Sequence, residues 1–131
     1  MRRAARGLAS LGVRLDVVLS SPLVRAQQTA SIVAASMETP PQVVTIKSLA
    51  PGGTYLDLLA DLKTHARHSR IALVGHEPDL GSVASRLAGP RRPFEFKKGG
   101  MCRIDIEAIP PVGRGSLRWF VPPAILREVG R

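Results

Sequence analysis

Short apolar runs alternate with longer amphipathic segments along most of this 131-residue chain. The apolar runs at 16–20 and 70–75 are bounded by turn residues and are typical of strands buried on both faces, and the segment 42–47 predicts another strand. Four other segments have small and apolar residues at helical spacing: 2–11, 22–36, 54–66 and 77–89. This alternation predicts a largely parallel sheet with helices on both of its faces.

The last third of the chain has a different pattern. Segment 101–109 alternates apolar and polar residues, and 116–121 is a β-prone run that follows the turn-forming stretch PPVGRG. The two runs therefore predict an antiparallel hairpin. The length is that of one domain, which we place at 1–131. The predicted fold class is α/β, a three-layer α/β/α sandwich.

Composition narrows the class of protein. Hydrophobic residues make up 44% of the chain and the mean hydropathy is +0.06, as expected for a globular protein with a core. No apolar run is long enough to span a bilayer, and the arginine-containing start has no apolar signal-peptide core. The single cysteine, Cys102, excludes an internal disulfide and a cysteine-based zinc site. We therefore expect a cytoplasmic protein without a membrane partner.

The formal net charge of +9 raises the possibility of nucleic-acid binding. Only 4% of the residues are aromatic and no basic run exceeds two residues, so a stacking platform and a basic stripe are not indicated. An affinity for anionic substrates explains the charge equally well. Nucleic-acid binding is kept as an alternative but is not the function that we expect.

The stretch SSPLVRAQQTA begins at Ser20, where an apolar run ends and a helix is predicted to begin. Ser21 is a good N-cap residue and Pro22 suits the first helical position. Backbone N–H groups at such a turn favour anions, and the guanidinium of Arg25 would add donors that match phosphate oxygens. A serine–proline pair is also an ordinary helix start, so this stretch alone leaves both interpretations open.

A second stretch, IALVGHEPDL, has the same construction and carries His76 in its turn. Because buried parallel strands tend to be neighbours, we expect His76 and Arg25 to share one crevice at the carboxyl ends of their strands. Glu77 is either an acid at this crevice or a carboxylate that favours the helix start. His65 and His68 lie near a predicted helix end, where we expect them to be solvated.

Together, SSPLVRAQQTA and VGHEPDL resemble the histidine phosphatase superfamily, with its phosphoglycerate-mutase-like fold, and within it the small phosphohistidine phosphatases. The resemblance implies a two-step phosphoryl transfer through a phosphohistidine enzyme intermediate. It makes Arg25 and His76 the catalytic residues, and Ser21, Arg25, His76 and Glu77 the substrate-binding residues. It implies no metal and no cofactor. The expected substrate is phosphohistidine on a protein, or a small phosphorylated molecule.

The chain departs from the family pattern because it contains no Arg-His-Gly, the motif of the nucleophilic histidine. We therefore expect the family's first strand to be missing, with a groove in its place between Val17–Leu19 and Ala72–Val74. A non-catalytic module that binds phosphate or a phosphoprotein is the alternative. The turn LAPGG also lacks the glutamate that many superfamily members use as an acid. Imidazole leaves more readily than an alkoxide, so this absence favours phosphohistidine, or another activated phosphoryl donor, over an ordinary sugar phosphate.

Overall fold

The computed structural model describes residues 1–89 and 94–131. Arg91 and Arg92, for which the sequence favours a solvated loop over a role in steering an anionic partner, lie outside the described residues. The helices are α1 (Arg2–Ser10), α2 (Val24–Ser36), α3 (Tyr55–Lys63), α4 (Asp79–Ala88) and α5 (Pro123–Val129), with a 3₁₀ turn at Lys47–Leu49. The strands are β1 (Val17–Ser20), β2 (Gln42–Thr45), β3 (Ile71–Val74), β4 (Met101–Asp105) and β5 (Ser116–Val121).

The first three strands form a parallel sheet in the order β2-β1-β3. Val18 in the central strand lies opposite Val43 on one side and Ala72 on the other. All four residues of β1 are buried, whereas those of β3 are half-buried. The continuous apolar run of the central strand is thus explained by its cover on both faces and both edges.

Helices cover both faces of this sheet. Because side chains alternate along a strand, Val17 and Leu19 pack with Leu58 and Leu62 of α3. Val18 points the other way and packs with Ala30 and Ala34 of α2. The predicted α/β sandwich with a parallel sheet is confirmed. None of the helices in the described ranges combines the length and the apolar character that a membrane span requires.

The predicted hairpin is also present, as a separate two-stranded sheet of β4 and β5. Met101 and Trp119 from its two strands pack against the cluster that joins α1 to α2. Strand β4 ends at Asp105, four residues before the predicted end. Helix α5, which was not predicted, buries Leu126 completely and lies so close to α1 that a Cβ on Gly7 would clash with the Leu126 carbonyl oxygen.

The expected groove between Val17–Leu19 and Ala72–Val74 is wrong. These strands pair directly, residue for residue, and the pairing continues beyond them. The Asp16 N–H donates to the Arg70 carbonyl at one end, and the Ser21 N–H donates to the Val74 carbonyl at the other. The position beside β1 where the missing strand was expected is therefore occupied by β3 itself. The outer edge of β3 pairs with no other strand in the described part of the chain.

Helix starts were predicted unevenly. Thr54 caps α3 as expected, since its hydroxyl accepts a hydrogen bond of 3.1 Å from the Asp57 N–H. The prediction that Ser21 is the N-cap of a helix beginning at Pro22 is wrong. Helix α2 begins at Val24, and its N-cap, Leu23, provides no side-chain hydrogen bond. Ser21 is buried, and its hydroxyl contacts the imidazole of His76 outside α2.

Candidate functional site

The two motif turns lie at the same edge of the parallel sheet. Ser21 follows directly after β1, and His76 comes two residues after β3, its parallel neighbour. The imidazole Nε2 of His76 lies 2.8 Å from the hydroxyl of Ser21. The two stretches that the sequence singled out are therefore joined by a hydrogen bond, at the strand ends where α/β proteins bind their ligands.

Ser21 is held rigidly at this edge. It is 0% exposed, and its N–H donates to the Val74 carbonyl over 2.9 Å. Its hydroxyl accepts from the Leu23 N–H at 3.2 Å, and its carbonyl accepts from the hydroxyl of Ser20 at 2.9 Å. What the structure shows for Ser21 is a contact with His76; direct contact with a substrate stays a prediction.

Arg25 lies in the first turn of α2, on the same side of the sheet as the Ser21 turn. It is exposed, and it has no hydrogen bond or ion pair to any residue in the described ranges. An exposed guanidinium without a protein partner keeps all five of its N–H donors available to an anion. Its role in binding a substrate stays a prediction, as does that of His76.

Gln27 was not identified from the sequence, although it supports this edge. Its amide donates to the Ser21 carbonyl at 2.9 Å and to the Thr45 hydroxyl at 2.6 Å. It thus connects the turn after β1 to the end of β2. A glutamine in a helix is ordinary, and no spacing in the sequence distinguishes this one from Gln28.

A shallow depression lies beside His76. Its cavity volume is about 10 Å³, and its wall includes Gly75 and Thr54. The loop on its far side is fixed to α4, because the Asp79 carboxylate accepts a hydrogen bond of 2.9 Å from the Gly52 N–H. A depression of this size does not enclose a small molecule, so a ligand at His76 would bind at the open edge of the sheet.

Comparisons with known proteins agree with this geometry. The family model of the histidine phosphatase superfamily (branch 1) matches residues 1–49, which include Ser21 and Arg25. An uncharacterised protein from Picosynechococcus sp. (strain ATCC 27264 / PCC 7002 / PR-6) is 42% identical over 86 residues, which are 64% of this chain and 52% of that protein. The chain thus spans about half the length of this curated relative.

Solved structures match over almost the whole chain. The protein histidine phosphatase SixA, in complex with tungstate, has a TM-score of 0.81 at 24% identity, over 95% of this chain and 80% of that one. A candidate phosphohistidine phosphatase SixA from Agrobacterium tumefaciens has a TM-score of 0.75 at 20% identity, over 93% and 77%. A candidate α-ribazole-5′-P phosphatase from Escherichia coli str. K-12 substr. MG1655 has 0.67 at 22%, over 95% and 82%.

This chain has the histidine phosphatase fold. The resemblance predicted from the two motifs is confirmed, by the family model over residues 1–49 and by the fold over 95% of the chain. The family-model match includes the β1–α2 turn and ends before His76. The position of His76 in this fold rests on the geometry of β3 and on its contact with Ser21.

In this histidine phosphatase fold, both carboxylate oxygens of Glu77 accept backbone hydrogen bonds. Oε1 accepts from the Gly81 N–H at 2.6 Å, and Oε2 accepts from the Phe96 N–H at 3.3 Å. The carboxylate thus connects the first turn of α4 to the segment that leads into the hairpin. The contact with α4 matches the structural alternative considered for Glu77, and donation of a proton to a substrate stays a prediction.

The other two histidines lie at the opposite edge of the sheet. His65 and His68 precede β3, whereas His76 follows it, so the strand alone separates them by roughly 10 Å. The expectation that both are solvated is wrong for two ring nitrogens, because Nδ1 of His65 and Nε2 of His68 are buried without a hydrogen-bond partner. Their rings stack on each other with centroids 6.0 Å apart.

The single cysteine is also set apart from this site. Burial raises the pKa of the Cys102 thiol to about 11, so little of the nucleophilic thiolate is present at neutral pH. Cys102 lies in β4, in the second sheet. Within residues 1–89 and 94–131, no three histidine, cysteine or carboxylate side chains are grouped closely enough to hold a metal ion.

Proposed function

We propose that this chain is a phosphatase-type domain that binds a phosphoryl group at the carboxyl edge of its parallel sheet, between Arg25 and His76. The observation that carries the proposal is the hydrogen bond of 2.8 Å between His76 and Ser21, which brings the β3 turn onto the β1 turn that precedes Arg25. The proposed substrate is phosphohistidine on a protein, or a small phosphorylated molecule. The proposed setting is cytoplasmic and requires no metal.

Phosphoryl chemistry explains why these residue types suit the site. In a loose transition state, negative charge is spread over the three equatorial oxygens, so fixed donors contribute most of the stabilisation. The guanidinium of Arg25 provides a planar set of donors, and the imidazole of His76 provides one more. SixA, which matches this fold with a TM-score of 0.81, was solved with tungstate, a tetrahedral oxyanion like phosphate.

Hydrolysis needs a nucleophile, and the 131 residues contain no Arg-His-Gly. His65 and His68 lie at the wrong edge of the sheet, and Nε2 of His76 is engaged by Ser21. We therefore expect residues 1–131 on their own to bind phosphate without turnover. The outer edge of β3, which pairs with no strand among the described residues, offers a place for a strand that carries a nucleophile.

A non-catalytic phosphate- or phosphoprotein-binding module is the second candidate. The direct pairing of β1 with β3 favours it, because the two strands that carry Ser21 and His76 are adjacent without a further strand between them. The two functions differ in one observable. A polypeptide that includes an Arg-His-Gly strand would form a phosphoenzyme with a phosphohistidine peptide if the domain belongs to a phosphatase, and chelators would not change its rate. A binding module would form none.

Calorimetric titration of the chain with tungstate and with inorganic phosphate tests the site itself. We expect saturable binding that Arg25→Ala weakens by about 10- to 100-fold, as is typical when a charge-assisted donor is lost. Arg67→Ala is the matched control, because Arg67 is an exposed arginine at the opposite edge of the sheet, and it should leave the affinity unchanged.

Equal affinity in the parent chain and in Arg25→Ala would overturn the assignment of the site. A chain that binds neither anion, but binds single-stranded DNA with a steep salt dependence, would instead support the nucleic-acid alternative.

A further inference from the structure

We propose that Ser21 is a positioning residue that holds His76 as the Nδ1–H tautomer, so that Nδ1–H is the ring donor offered to a phosphoryl group. The inference rests on the proposed function, since it concerns the same phosphoryl site and explains which nitrogen of the His76 ring donates to the phosphoryl group. Ser21 is thus not the helix cap that its sequence position predicts, because the N-cap of α2 is Leu23.

The Ser21 hydroxyl carries a single proton, and its hydrogen-bond partners decide where that proton goes. A hydroxyl has one proton to donate and two lone pairs that accept. The Leu23 N–H at 3.2 Å already occupies one of the lone pairs. Nε2 of His76, at 2.8 Å, is the remaining hydrogen-bond partner of this oxygen among the described residues.

Two arrangements of the protons are conceivable, and they differ in what is left unsatisfied. If Nε2 carried the ring proton, the hydroxyl would accept twice and its own proton would have no acceptor. Ser21 is 0% exposed, so no bulk water takes that proton, and a buried unpaired donor is costly. If the hydroxyl donates to Nε2, every group is satisfied. The neutral ring then carries its proton on Nδ1.

Nδ1 is the nitrogen that remains available. In the described ranges it has no hydrogen-bond partner, and it is not one of the side-chain atoms that are buried without a partner; the residue as a whole is half-buried. An Nδ1–H group in that position donates to an anion without first taking up a proton. The same geometry leaves Nε2 with its lone pair directed at Ser21, which prevents this nitrogen from attacking phosphorus.

The anchoring of Ser21 makes the arrangement rigid. Its N–H is bound by the Val74 carbonyl, and its own carbonyl accepts from Ser20 and Gln27. The serine is thus fixed by β3 and α2 and cannot rotate away with the imidazole. A ring that is held in one orientation loses little freedom when an anion binds, which is the usual benefit of preorganisation.

Two-dimensional ¹H–¹⁵N spectra of the imidazole rings test the assignment directly, in the chain labelled with ¹⁵N-histidine and at a pH where the ring of His76 is neutral. We expect Nδ1 of His76 to show the pyrrole-type signal and Nε2 the pyridine-type signal. Ser21→Ala should give a mixture of both tautomers and should weaken tungstate binding about fivefold, as is typical of one lost hydrogen bond.

Ser36→Ala is the matched control, because Ser36 is a half-buried serine at the far end of α2 whose hydroxyl donates to the Ile32 carbonyl. It should leave the tautomer of His76 unchanged. A pyrrole-type Nε2 in the parent chain would overturn the inference, and so would a tautomer that Ser21→Ala does not move. If Ser21→Ala does not fold, the spectrum of the parent chain still decides. A parent chain with the Nδ1–H tautomer that binds no oxyanion would contradict the proposed function instead.

Discussion

At each end of the parallel sheet, one polar side chain next to β1 contacts the segment next to β3. The two ends differ in which hydrogen-bonding groups remain without a protein partner. At the amino end, Oδ2 of Asp16 accepts from the N–H groups of Ser69 and Arg70, both at 2.9 Å. At the carboxyl end, Ser21 contacts His76 at 2.8 Å, and both Nδ1 of that ring and the guanidinium of Arg25 stay available.

The difference separates a structural polar contact from one that can serve a ligand. The Asp16 carboxylate accepts hydrogen bonds from the backbone N–H groups of Arg70 and Ser69, and these bonds hold the pKa of its carboxyl below the usual 3.8. At the other end, the Ser21 hydroxyl and the His76 imidazole hold each other in place, and Nδ1 of that ring and the Arg25 guanidinium have no partner among the described residues. A charged residue at a strand end is thus no sign of a binding site until its partners are known.

The largest effect on stability is expected from the core residue of β1 that lies between the two ends of the sheet. Leu19 is completely buried in the middle of β1 and packs against α3. Leu19→Ala should lower the free energy of unfolding by about 2–4 kcal/mol through lost contacts and a cavity. Leu56→Ala is the matched control, because Leu56 is 76% exposed. Urea unfolding measures both, and similar losses in the two variants would contradict the described core.

Removal of the structural carboxylate should affect stability and leave ligand binding intact. Asp16→Ala leaves the N–H groups of Ser69 and Arg70 without their acceptor. Because this site is exposed and water replaces part of the interaction, we expect a loss of about 1 kcal/mol. Tungstate affinity should stay within twofold. A large fall in affinity would show that the two ends are not independent.

The dependence of stability on pH should also differ between the two ends of the sheet. The carboxyl of Asp16 has a lowered pKa in the folded chain, so its contribution to stability is present above pH 3.8 and is lost as the pH falls below that value. Asp16→Asn should therefore flatten part of the acid limb of a stability–pH curve, while Ser21→Ala should leave the shape of that limb unchanged. Parallel curves for Asp16→Asn and the parent chain would contradict this origin of the acid sensitivity.

The smallest effect is expected from the outermost bond of the carboxyl end. The Thr45 hydroxyl accepts from the Gln27 amide in an exposed position. Thr45→Val should change the free energy of unfolding by less than about 1 kcal/mol and tungstate affinity by less than threefold. An effect as large as that of Arg25→Ala would place Thr45 within the binding site.

Much of the fold could be predicted because its elements have strong local patterns. The run 16–20 is apolar on both faces because β1 is covered by α2 and α3, and the Thr54 cap is visible as a residue type at a fixed offset. Helix α5 was missed because it has only seven residues and begins in a proline pair, which reads as a turn. Its stability comes from packing against α1, which no local pattern records.

The candidate site was predicted in part for a similar reason. Ser21 and His76 stood out because each follows a buried strand, and neighbouring parallel strands bring such turns together. The groove was wrongly placed because strand order is a long-range property, and apolar composition alone does not state which strands are adjacent. The hydrogen bond from Gln27 to Thr45 and the one from Phe96 to Glu77 link residues that are 18 and 19 positions apart, so no spacing could indicate them.

The most direct test of the central claim is a titration of the ¹⁵N-labelled chain with inorganic phosphate, followed through its backbone and imidazole signals. The account predicts saturable shifts for residues 21–25, for 75–77 and for the Nδ1 signal of His76. It predicts no shift for Asp16, Ser69 or Arg70 at the other end of the sheet. Shifts confined to that other end, or spread over surface arginines without saturation, would contradict the account.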